Sequence, residues 1–396
     1  MIPALRERFN AAWTPAAYAR LQAIVTAMAG VPLSFTVSET PCFFPAELLD
    51  EMAATGDALV DGFLADPRAR AEAEALIPTR YLGPGQEAAP TFVQVDFGIV
   101  RTARGGHEPR LVELQAFPSL YGFQYALGLA HHEAYGLPAE LTPYLGGLDA
   151  ASYLALLRDV LIGPHAPADV VLMEIAPEQQ KTRPDFAITK HLWGIDTVDP
   201  RELIVRGRQL WRRVDGREQP IRRVYNRIIP DELERTGYPL PFDYRDDLEV
   251  EWTGHPAWYF RLSKSAIPWL THPAVPRTWR LDLVEKLPAD RRDLVLKPLF
   301  SFAGGGIVFA PTEADLAAIP REARHLYLLQ ERVAFAPVID TPHGATQAEV
   351  RIMYVQTDRL RPVLSLIRMG RGAMMGVAHN RGLAWVGASA GFAPRP

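Results

Sequence analysis

The sequence holds a single cysteine, Cys42, among 396 residues. One thiol can form neither an intramolecular disulfide nor a cysteine-rich metal cage, which fits a reducing compartment. Neither sign of charge dominates. With 42 lysines and arginines against 46 aspartates and glutamates, the formal net charge is -4, so no global positive field exists to hold a nucleic-acid backbone or an anionic bilayer. Long hydrophobic runs are also missing: the most apolar stretch, Leu21 to Phe35, is too short to span a bilayer and carries Gln22, Thr26 and Pro32. The first eight residues lack the basic-then-apolar order of a signal peptide. There is no repeat of fixed period and no low-complexity tract. These absences predict a cytoplasmic protein that handles small molecules, with no nucleic-acid or membrane partner. They leave the oligomeric state open, a homodimer included.

What is present is a 48% hydrophobic composition, enough for two or three domains around a cleft. Helical spacing predicts mostly helix over residues 10 to 80 and again over 125 to 163. Between them, Phe92 to Val100 and Arg110 to Phe117 read as strands of a hairpin turned through Arg104-Gly-Gly-His. Asp169 to Ile175 is the apolar run of a buried parallel strand, followed by a helix over Phe186 to Leu192. Trp211 to Val214 and Ile221 to Tyr225 read as a second hairpin, with Asp215-Gly216 as its turn. A helix is expected after Lys264, then strands at 294 to 309, 326 to 333, 349 to 355 and 362 to 368.

Three groups of residues carry chemistry. Lys297 lies inside the apolar strand Leu294-Val-Leu-Lys, and Gly304-Gly305-Gly306 follows it. A lysine is costly to desolvate and turns its ammonium to an anion or to solvent, while glycine backbone can close its N–H groups over phosphate oxygens. No Gly-Lys-Ser/Thr follows and no helix does, which excludes a Walker loop and a dinucleotide fingerprint; a tight hairpin with a snorkelling lysine is the plain alternative. The second group is Asp96 with Glu113 and Gln115. Positions i and i+2 of a strand share a face, so three oxygen donors converge if Asp96 pairs opposite, a set that suits Mg²⁺; otherwise they form a solvated strand face. The third is Glu349-x-Arg351, Arg368 and Asn380, where arginines could spread the charge of a transferring phosphoryl group and Asn380 could complete a metal or phosphate shell.

Lys264 in Arg-Leu-Ser-Lys, Leu296-Lys-Pro-Leu with Gly304-Gly-Gly-Ile-Val-Phe, Leu329-Gln-Glu-Arg-Val, Glu349-Val-Arg, Arg368 and Asn380 together resemble the nucleotide-binding half of the ATP-grasp superfamily. The likeness is to bacterial glutathione synthetases and D-alanine–D-alanine ligases. It implies an α/β (α+β) fold with two α+β lobes around a nucleotide cleft. Its cofactors would be ATP and Mg²⁺. Lys264 and Lys297 would meet phosphate, Gln330, Glu331 and Val333 adenine and ribose, and Ser301 to Gly306 would form a lid. The family's metal-binding strand pair is missing after Ser389 but is matched by Val95-Asp96 and Val112-Glu113-Leu-Gln115, which implies a circular permutation. The implied domains are a helical N-terminal region with the permuted hairpin (1–150), a Rossmann-like pre-ATP-grasp domain (151–256) and the ATP-grasp nucleotide-binding region (257–396).

The implied activity is ligation of a carboxylate to an amine through an acyl phosphate, acting on an amino acid or short peptide, with Lys297, Arg351 and Arg368 catalytic and with Asp96, Glu113, Gln115 and Asn380 on the metal. A phosphotransferase or a catalytically silent ATP-binding regulator are the alternatives. Two departures leave the last open: Gln115 stands for the family's asparagine, and Gln94 for an arginine that some relatives carry. Ser119 and Tyr121 follow the hairpin where the resembled family binds its acceptor, which implies them as substrate contacts; Lys181, Thr182 and Arg227 are candidates because ligands in open α/β sheets bind beyond the strands' carboxyl ends.

Overall fold

The computed structural model describes residues 1–301 and 304–395. Phe302 and Ala303, which belong to the expected lid, lie outside the described residues. The principal sheet has seven strands and draws them from both halves of the chain. Its main path runs Cys42–Phe43, Gly387–Pro394, Leu360–Gly370, Gln347–Gln356, Phe92–Arg101 and His107–Gln115, with Leu141–Thr142 pairing Gly387–Pro394. The acidic hairpin therefore lies beside the late strands, with Asp96 opposite Arg351 on one side and Glu113 on the other.

That hairpin contains a bulge. Asp96 pairs Glu113 but Phe97 pairs Leu111, so Val112 is the extra residue and its carbonyl leaves the ladder. The hairpin's outer edge is covered rather than bare: Leu111 N donates to Ala274 O and Ala116 N to Leu262 O, which docks the segment carrying Lys264 against Glu113. Val93, Val95, Phe97 and Leu114 point to the opposite face and are buried with Val350, Ile352 and the helix Ala46–Ala65.

Two further sheets frame the cleft. A four-stranded parallel sheet, ordered Glu251–Thr253, Arg223–Asn226, Val170–Met173 and Asp196–Val198, explains the uninterrupted apolar run at 170 to 173, since helices and loops cover both of its faces. A four-stranded antiparallel sheet orders Thr278–Arg280, Tyr327–Glu331, Leu294–Pro298 and Val308–Phe309. Helix Pro15–Ala29 begins where Thr14 accepts the Ala17 N–H ahead of Pro15 and stops at left-handed Gly30. It packs on helices Tyr121–Tyr135 and Arg183–Trp193.

Two sequence expectations change. The helix after Lys264 is a 3₁₀ turn, Lys264–Trp269, because Pro268 lies inside it and Pro273 and Pro276 follow, each removing a backbone donor. Asp215 and Gly216, both at positive φ, do turn a hairpin, but its second strand is Arg217–Ile221; Arg223–Asn226 then departs into the parallel sheet. No helix among the described residues is long and apolar enough to cross a membrane.

Candidate functional site

A cavity of about 950 Å³ opens over one face of the principal sheet. Strand alternation puts Glu113, Asp96, Arg351 and Leu366 in one transverse row across four neighbouring strands, with Glu349, Arg368 and Ala388 in the next. Lys297 enters from the antiparallel sheet and Lys264 from the 3₁₀ turn. The cavity is thus lined by Asp96, Glu113, Gln115, Ser119, Lys181, Thr182, Lys264, Lys297, Ser301, Gly304, Gln330, Glu331, Val333, Arg351 and Arg368, which is where the sequence analysis sought its ligands. Of the remaining candidates, Gly305 and Gly306 are exposed and do not line it.

Three candidates have side chains committed elsewhere. Asn380 is buried; its amide donates to Met374 O and Gly376 O and accepts from Arg371 N, so it pins the 371–380 loop and presents no oxygen to the cavity. The Tyr121 hydroxyl, expected near substrate, donates to Tyr354 O under the sheet. Arg227 is 2% exposed and forms a buried pair with Asp185 at 2.5 Å, which in turn accepts the Phe123 N–H. It joins the parallel sheet to helix Tyr121–Tyr135 and does not reach the cavity.

The acidic group divides sharply. Asp96, 2% exposed, is held by two arginines: Arg351 Nε and Nη2 lie at 2.5 and 2.7 Å from its two oxygens, and Arg368 Nη2 bonds the second. Burial raises the Asp96 carboxyl, but the two guanidinium groups outweigh it and hold it below the ordinary aspartate range. Arg368 also pairs with Glu349 Oε1 at 2.5 Å; burial and neighbouring Asp96 push Glu349 up, against the pull of Arg368. Gln94 was noticed in the sequence only as the absence of an arginine. Its Oε1 accepts from Arg351 at 2.7 Å and from Gln115 Nε2 at 3.0 Å, while its own amide holds Ser119 O at 2.8 Å. It sets Arg351 and turns the Gln115 oxygen outward.

The basic side differs. Lys297 is 8% exposed, and its ammonium reaches only neutral oxygens, Gln330 Oε1 at 2.6 Å and the bulge carbonyl of Val112 at 3.2 Å. Burial pulls it down to about 8, with nearby Lys264 pulling the same way and Glu113 opposing. A buried ammonium with no carboxylate in direct contact is left without a counter-charge beside it. Lys264 holds Ser301 O at 2.9 Å and Glu113 at 3.3 Å. Gly304, at φ 78°, touches the Met374 side chain, so the glycine turn meets the 373–381 loop over the cavity.

A nucleotide triphosphate fits these residues: two lysines, a glycine turn and the apolar Val295, Phe309 and Phe335 line one end. For Mg²⁺, no group of three His, Cys, Asp or Glu side chains among the described residues converges on a point, and both oxygens of Asp96 are occupied. Glu113 and the Gln115 amide oxygen remain, a set that matches Mg²⁺ only when phosphates and water complete its shell.

The sequence reading missed Phe335, the 374–379 loop and the segment Pro32 to Val37, all of which line the cavity. Only Met374-Met375 between glycines offered a hint, as adaptable apolar residues on a pliable loop.

No protein-family model matches the chain, and no curated protein is significantly similar to it. Among solved structures, a glutathione synthetase-like effector of Globodera pallida in its apo form superposes with a TM-score of 0.59 at 13% identity, covering 96% of each chain. The protein thus has a mixed α/β fold like that of the glutathione synthetase-like effector.

Proposed function

We propose that the protein is an ATP-dependent carboxylate–amine ligase of the ATP-grasp type, permuted so that its metal-binding hairpin precedes its nucleotide-binding region. The observation that carries this reading is the buried, carboxylate-free ammonium of Lys297 facing Glu113, Gln115, Arg351 and Arg368 within one cavity. A carboxylate oxygen of the acid attacks the γ-phosphorus and ADP departs. The amine nitrogen then attacks the acyl carbon, phosphate leaves with the C–O bond electrons, and the amine gives up a proton. Free carboxylate is a poor acyl donor, and the acyl phosphate divides one hard step into two easier ones.

In this reading Lys297 and Lys264 bind phosphate oxygens, and Gln330 to Val333 with Phe335 hold the base. Arg351 and Arg368, fixed by Asp96, stabilise charge on the phosphoryl group as it moves. Glu113 and the Gln115 amide oxygen would hold Mg²⁺, which when bound would neutralise triphosphate charge. The glycine turn, meeting the 373–381 loop, keeps water from the mixed anhydride. Phosphate release from Mg-ATP that requires both a carboxylate pool and an amine pool tests the proposal.

A second reading, an ATP-binding protein without turnover, is favoured by one feature: Asp96 is spent on two arginines, leaving beside the lysines only Glu113, itself paired with Lys264 at 3.3 Å. Saturable ATP binding with no phosphate release across a broad panel of acids and amines would select it.

A further inference from the structure

The cavity extends past the lysines and the acidic hairpin to the Gly387–Pro394 strand. From the hairpin edge to Gly387–Pro394 it crosses four strand spacings, roughly 19 Å, and its far end is closed by a wall that neither sheet supplies. Val37 bridges to Ala388, the Phe35 ring lies edge-on to Phe123 at 5.0 Å, and Ser34 Oγ holds Lys181 O at 3.0 Å. The facing helix is fixed in turn, because the Gln124 amide donates to Ser365 O and Ser389 O.

The two ends differ in chemistry. All four carboxylates that line the cavity, Asp96, Glu113, Glu331 and Glu349, come from the hairpin, the Tyr327–Glu331 strand and the Gln347–Gln356 strand. Among the described residues the far end contributes none. Its cations, Lys181 and Arg381, are exposed and form no ion pair with any described residue, and the apolar Leu33 and Phe35, both partly exposed, line the cavity with the more deeply buried Phe123, Leu366 and Met375. Phe35 remains partly exposed to the cavity.

We propose that this far end is the acid-substrate chamber and that it selects a carboxylic acid with an apolar body, the size of an N-acylated aromatic amino acid. The body rests on Leu33 and Phe35, backed by the buried Phe123 and Leu366, and the positive, carboxylate-free end excludes cations. The proposal rests on the ligase reading for what happens to that acid, but the binding preference is measured without turnover.

The test is calorimetry on the full chain with three probes: N-acetyl-L-phenylalanine, N-acetylglycine and N-acetyl-L-phenylalaninamide. N-acetyl-L-phenylalanine is expected to bind at least tenfold more tightly than either of the others. Phe35→Ala is expected to erase its advantage over N-acetylglycine. Lys181→Glu combined with Arg381→Glu, at exposed positions where packing is not disturbed, is expected to erase its advantage over the uncharged amide. A wild-type preference below tenfold, no binding of any probe, or a preference that survives both variants overturns the proposal. If the acid preference holds while ATP does not bind, the chamber stands and the ligase reading falls.

Discussion

Raising the pH from 7.5 to 9.5 is expected to weaken nucleotide binding about twentyfold through Lys297 alone. In the free protein its ammonium titrates at about 8 rather than 10.5, chiefly because it is buried. Triphosphate oxygens beside it favour the charged form and return it toward its ordinary value. Binding then takes up a proton in the window between the two values, and affinity falls as pH rises through it; integrated over those two pH units, the loss is about 2 kcal/mol. The stability of the free protein moves the other way. The folded state binds fewer protons than the unfolded chain between about 8 and 10.5, so this group adds stability as pH rises. The opposite signs separate the effect from alkaline unfolding. Fluorescence titration with a non-hydrolysable ATP analogue, beside urea denaturation at each pH, measures both. An affinity flat across the range, or the same slope in Lys297→Met, refutes the assignment.

Three further outcomes follow from the same geometry. Asp96→Asn leaves the buried Arg351 beside an uncharged amide, with the partly exposed Arg368 keeping only Glu349, and is expected to lower unfolding free energy by about 3 kcal/mol; a denaturant midpoint shift equivalent to under about 1 kcal/mol removes Asp96 as the anchor of the arginine pair. Lys297→Ala and Glu113→Ala are each expected to abolish acid- and amine-dependent phosphate release, a loss of at least about 10²-fold, and wild-type rates in either exclude that residue from the reaction. Gly304→Val puts a branched side chain at positive φ against Met374, locally costing about 1 to 2 kcal/mol. It is expected to weaken nucleotide affinity while the melting temperature stays within a few degrees, and unchanged affinity would show that the glycine turn does not close.

Much of the site was legible in the sequence because strand alternation is a rigid rule: once Asp96 and Glu113 were placed on paired strands, their shared face followed, and so did that of Gln115. The apolar run at 170 to 173 likewise announced a parallel sheet. What the sequence concealed depends on contacts between distant segments. The bulge at Val112 gives no compositional sign, yet it frees the carbonyl that Lys297 uses. Arg227 and Asn380 are polar residues of the kind that serve ligands, and only their partners, Asp185 and the 371–376 backbone, show that they hold the fold. The apolar wall at 32 to 37 reads in isolation as an ordinary link between helices. The absence of a helix after Lys264 was available from Pro268, Pro273 and Pro276, and helical spacing alone overrode it.

The threading of the principal sheet bears on how the protein is made. Synthesis completes the hairpin at Gln115, but the strand that covers its inner edge begins only at Gln347. Throughout that interval the nascent Phe92–Arg101 strand offers an uncovered backbone edge and an apolar face, the combination that seeds aggregation. A holding chaperone that shields this hairpin on the ribosome would therefore raise folding yield more than one acting after release, and chains stalled before Gln347 would be the most prone to precipitate.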